Sequence, residues 1–81
     1  MRRNALELSD AFARVVQKQR EAKKISRAAL AEKAGLHQTY IGLLERGLRS
    51  PNLDTAKAIA AALGVSLSQI VADSEQIQKG C

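Results

Sequence analysis

Apolar residues recur along this chain at intervals of three and four, the spacing of one face of an α-helix, and no stretch alternates with the period of two expected of a strand. Phe12, Val15 and Val16 mark the inward side of a first helix over about residues 9–23, with Ser9 as its cap and Asp10 as an early acid. Ser26 is suited to cap a second helix, on which Leu30, Ala31 and Ala34 share a side. Gly35 stands where a left-handed residue ends such a helix at no steric cost. A third helix starts at about Gln38, points Ile41 and Leu44 inward, and stops before Gly47. Residues 48–52 form a loop that holds the only proline, Pro51. Asn52 then caps a fourth helix over residues 53–63, where Leu53, Ala56, Ile59, Ala60 and Leu63 keep the helical period and Gly64 ends it. Ser66 with Gln69 three residues on makes a capping box for a short last helix bearing Leu67, Ile70 and Val71. The expected fold is therefore all-α, five helices in one domain over residues 9–73. An N-terminal extension (1–8) precedes it, and a loose polar tail (74–81) follows.

The second and third helices are each about eight residues long and meet at a three- or four-residue turn. That is the pattern of a helix-turn-helix, whose second helix is built to enter a DNA major groove. Charge supports this reading because it is uneven. The chain has 81 residues and a formal net charge of +5. Residues 1–24 hold seven basic against three acidic side chains, residues 25–50 four against two, and residues 51–81 two against three. The basic character thus lies in the part holding the two helices, as expected of a chain that docks phosphates with one side and something else with the other.

Composition narrows the remaining classes. No apolar run approaches the roughly 18 residues of a membrane span. The single cysteine, Cys81, cannot form an internal disulfide, which fits a reducing cytoplasm. One histidine and one cysteine far apart, no glycine-rich phosphate loop and no ligand spacing argue against an enzyme, a metal site or a cofactor. No small-molecule ligand is implied. RNA reading is disfavoured because Phe12 and Tyr40 are the only aromatics, whereas single-strand readers need stacking platforms.

From Phe12 to Val71 the chain resembles the XRE-type (phage Cro and repressor) helix-turn-helix family. The residues that carry the likeness are S-x-x-x-L-A-x-K-A-G from Ser26, T-Y-I-x-x-L-E-R-G from Thr39, R-S-P-N-L-D-T from Arg49 and I-A-x-A-L-G-V-S-L-x-x-I from Ile59. The T-Y-I-x-x-L-E-R-G segment and the short length also resemble the controller proteins of restriction–modification systems. The resemblance implies a five-helix, lambda-repressor-like domain, bacterial or phage in origin, with base contacts at the start of the third helix. Gln38 is matched to adenine N6 and N7, and Thr39 offers a hydroxyl or a methyl. Leu43 stands where relatives often carry a polar reader, so it meets a thymine methyl or makes no contact at all, the alternative being packing against the fourth helix or a partner. Arg27, in place of a family glutamine, is expected on a phosphate, with Tyr40, Arg46, Arg49 and Asn52. For Tyr40 the alternative is packing alone, and for the arginines a solvated surface charge. His37 reads as a loop residue or weak cap, the alternative being a DNA contact. Arg20 and Glu45 match a structural ion pair between the first and third helices. Gln19 and Lys24 depart from the family pattern, Lys24 taking the place of a helix-ending glycine.

A single module offers few base contacts, and the family solution is a dimer on a pseudo-palindromic site of double-stranded DNA. Leu63, Val65, Leu67, Ile70 and Val71 supply the expected dimer interface. The competing reading is an antitoxin-like or other interaction module whose C-terminal helix binds a partner protein.

Overall fold

The computed structural model describes residues 7–80. Five helices follow one another: α1 (Leu8–Ala22), α2 (Arg27–Ala34), α3 (Gln38–Glu45), α4 (Leu53–Leu63) and α5 (Leu67–Gly80). There is no strand among the described residues. One core holds them together, built from Phe12, Val15 and Val16 of α1, Leu30 of α2, Ile41 and Leu44 of α3, Ile59 and Leu63 of α4, and Ile70 of α5. Each comes from the periodic stripe its helix shows in sequence.

Ser26 Oγ accepts the Ala29 amide at 3.0 Å and Asn52 Oδ1 accepts the Thr55 amide at 2.7 Å, so α2 and α4 begin as expected. Ser66 Oγ likewise accepts the Gln69 amide at 3.1 Å at the start of α5. For α1 the expected Ser9 cap is replaced. The helix begins one residue earlier, with Glu7 in the cap position and no side-chain cap bond, and Asp10 lies inside the first turn. An acid there still meets the positive end of the helix dipole.

Four turns end in one motif, a left-handed residue followed by an amide bonded back to a carbonyl five residues earlier. Ile25 bonds to Arg20, Leu36 to Ala31, Leu48 to Leu43 and Val65 to Ala60. The left-handed residue is glycine at three of these turns and Lys24, φ 57°, at the fourth. The residue after it is apolar in all four. Ile25, Leu36 and Val65 tuck against the core, whereas Leu48 is 62% exposed.

The C-terminal segment departs from expectation. In place of a loose tail over residues 74–81, α5 continues to Gly80. Ile77 packs against the core, and Ser74 is fully buried with its hydroxyl donating to the Ile70 carbonyl at 2.7 Å. Residues 67, 70, 74 and 77 form a single stripe. A serine in the middle of it hid the period. α5 packs along α1 in parallel: Leu67 and Val71 lie beside Leu8 and Phe12, and Asp73 and Ile77 beside Val15 and Gln19.

Candidate nucleic-acid interface

α3 is held on its inner side by Ile41 and Leu44, both with no exposed surface. That fixes what it presents outward. Gln38 and Thr39 are exposed at its first turn, and Gly42 lies one turn on with open space where a Cβ would stand. Arg46 continues the line past the helix end, also exposed. Leu43 is half-buried, to the side of this line. His37 occupies the cap position of α3, exposed and without a side-chain cap bond, so the first-turn amides of α3 have no side-chain partner from it.

The far end of α3 is anchored by charge. The Glu45 side chain is 1% exposed and takes hydrogen bonds from two arginines. Arg20 Nε donates to Oε2 at 2.7 Å and Arg20 Nη2 to Oε1 at 3.2 Å, a two-pronged bond from α1. Arg20 Nη1 donates in addition to the Ile25 carbonyl at 3.0 Å. Arg27 Nε, from the first turn of α2, donates to Oε1 at 2.8 Å. The carboxylate therefore ties α1, α2 and α3 together. No buried side-chain nitrogen or oxygen among the described residues lacks a partner.

Among the residues expected on phosphate, Arg46, Arg49 and Asn52 are exposed around the loop after α3, and Asn52 also uses its amide oxygen as the α4 cap. Tyr40 is half-buried and packs against the core. Arg27 is half-exposed and already paired, a contact that sequence reading missed. It had no signal, since Arg27 and Glu45 lie far apart in sequence and neither belongs to the other's periodic stripe.

The expected dimer residues divide. Leu63 and Ile70 are 2% and 0% exposed and belong to the chain's own core, whereas Val65, Leu67 and Val71 are half-buried. Two of these, Leu67 and Val71, belong to an exposed apolar groove. Leu8, Phe12, Pro51, Leu53, Ala56, Leu67 and Val71 line an open groove of about 160 Å³, with Leu53 79% exposed at its edge. Among the described residues no cluster of three or more acids, histidines or cysteines could hold a metal ion, and no single helix is long and apolar enough to cross a membrane.

Five helices on one core, with a short third helix displaying polar residues beside a turn of matched length, define a helix-turn-helix module. The comparisons with known proteins agree. A helix-turn-helix family model matches residues 16–70, and the chain belongs to that family. It is 38% identical over 60 residues to an immunity repressor protein of Bacillus phage phi105, covering 74% of this chain and 42% of the repressor. It is 35% identical over 66 residues to the control protein C.SmaI of Serratia marcescens, covering 82% of this chain and 79% of that protein. The chain thus spans less than half of the repressor and most of the control protein. Among solved structures, the restriction–modification controller protein C.AhdI of Aeromonas hydrophila matches with a TM-score of 0.73 at 31% identity, over 76% of this chain and 94% of that one. The expectation that the chain is not an enzyme accords with these relatives, which are named as a repressor and as control proteins.

Proposed function

We propose that this chain is a transcription regulator that binds double-stranded DNA sequence-specifically, as a homodimer on a pseudo-palindromic operator, in the cytoplasm. The observation that carries the reading is the presentation of α3. Its inner residues are locked in the core and its far end is tied by Glu45, while Gln38 and Thr39 stand exposed on the first turn, where a recognition helix meets base edges. Gln38 reads adenine through N6 and N7, Thr39 adds a hydroxyl or methyl contact, and Leu43 flanks them as an apolar contact. Arg27, Tyr40, Arg46, Arg49 and Asn52 bracket these residues as phosphate contacts, which set register without reading sequence.

The groove lined by Leu53, Leu67 and Val71 supports the dimer. A patch bearing both an exposed leucine and an apolar slot can be self-complementary across a two-fold axis. Of the other expected dimer residues, Val65 lies in the turn between α4 and α5 outside the groove lining, and Leu63 and Ile70 are core residues. With no effector site invoked, occupancy follows protein concentration.

Selection of binding sites from random duplex DNA tests this function, repeated with Gln38→Ala and at two salt concentrations. A palindromic consensus is expected that loses preference at one base position per half-site in the variant, at about 1–3 kcal/mol of discrimination. Binding without a consensus overturns the operator reading. A co-purifying protein seated on the groove would then favour an antitoxin-like module.

A further inference from the structure

Arg27 and Glu45 meet in a way that a phosphate contact alone does not require. The Glu45 carboxylate is already satisfied by Arg20 through two hydrogen bonds, and its Oε1 still accepts a third from Arg27 Nε at 2.8 Å. An arginine presents five N–H groups in a rigid fork. Using Nε inward leaves the four on the terminal nitrogens unpaired among the described residues, on a side chain 47% exposed. The guanidinium is thus fixed at one edge and open at the other. Arg46 and Arg49, exposed on the loop after α3, have no ion pair among the described residues and must give up rotamer freedom to meet a phosphate. Arg27 has given it up in advance.

We propose that Glu45 is a positioning residue for DNA, holding Arg27 by Nε so that its terminal N–H groups form a pre-aimed fork for one backbone phosphate at the first turn of α2. The inference rests on the operator-binding reading above. It adds a role for a side chain that never meets the nucleic acid. Since Glu45 ends α3, the fork is registered directly to the helix that carries Gln38 and Thr39. The phosphate grip and the base-reading residues therefore move as one body. A lysine at position 27 would keep the charge and lose the arrangement, because the donors an ammonium keeps after pairing with the carboxylate form no fixed planar fork.

The test is fluorescence anisotropy on a labelled duplex bearing the selected site, with Arg27→Lys, Glu45→Gln and the double variant, each checked by thermal denaturation. Arg27→Lys is expected to weaken binding about tenfold, since a two-pronged charged bond is replaced by a point charge. Its Tm should stay within about 2 °C of the wild type, because a half-exposed pair adds little stability. Glu45→Gln should weaken binding clearly when residue 27 is arginine and far less when it is lysine. Equal losses in the two backgrounds, or undiminished binding by Arg27→Lys, overturn the positioning role. Should Glu45→Gln fail to fold, Arg27→Lys decides alone. A wild-type chain that selects no consensus overturns the operator reading itself, whereas a consensus bound equally well by Arg27→Lys removes only the inference.

Discussion

Glu45 and Lys24 show how single residues set the geometry here. Glu45→Ala would leave Arg20, 7% exposed, with only the exposed Glu21 carboxylate at 3.7 Å in place of its buried two-pronged partner. Removing one partner of such a pair costs about 3–5 kcal/mol, so the variant should melt well below the wild type and bind DNA more weakly. An unchanged melting curve by circular dichroism would contradict this. Lys24 is the opposite case. Its φ of 57° is a conformation that a side chain with a Cβ resists, and the equivalent positions at three other turns are glycine. Lys24→Gly should stabilise the chain by about 1 kcal/mol, raising Tm by about 5 °C in differential scanning calorimetry. The strain at Lys24 was legible in the sequence as a missing glycine. The Arg20–Glu45 pair was legible only through family resemblance, and the third partner, Arg27, not at all. A contact between two surface-coloured residues far apart in sequence leaves no periodic trace.

At the level of elements, caps and stripes specify most of the helices. α2 and α4 start at the residues whose side chains accept the first free amides and stop at glycines with φ of 73° and 78°. The apolar period stops short of the true end of α5 because its stripe passes through Ser74. That serine escapes the cost of burial by donating to the carbonyl one turn back. The last turns of α5 therefore help hold α1, and Ile77→Ala should lower stability by about 1–2 kcal/mol in urea denaturation, about half of what a fully buried isoleucine would cost. A frayed tail would give no change. α4 shows the converse. Leu53 keeps the period of Ala56 and Leu63, yet it is 79% exposed, because it stands at the open edge of the groove between α1, α4 and α5 and not inside the core.

For the whole molecule, that edge is where the proposed two-fold contact falls. Leu53→Asp should leave the melting temperature of the monomer almost unchanged, as expected of an exposed site. It should also shift sedimentation from dimer to monomer, and weaken operator binding as avidity is lost. A variant that stays dimeric places the contact elsewhere. The helix order was readable from the chain, but the groove was not, since it forms only where the beginnings of α1, α4 and α5 converge. The parallel packing of α1 and α5 has one more consequence, for the order of events during synthesis. α1 emerges from the ribosome before α5 and finds this main neighbour only after α2, α3 and α4 have followed. Until α5 arrives, Val15 and Phe12 lack the surface that covers them, so the nascent chain carries an open apolar seam that closes only once α5 has emerged.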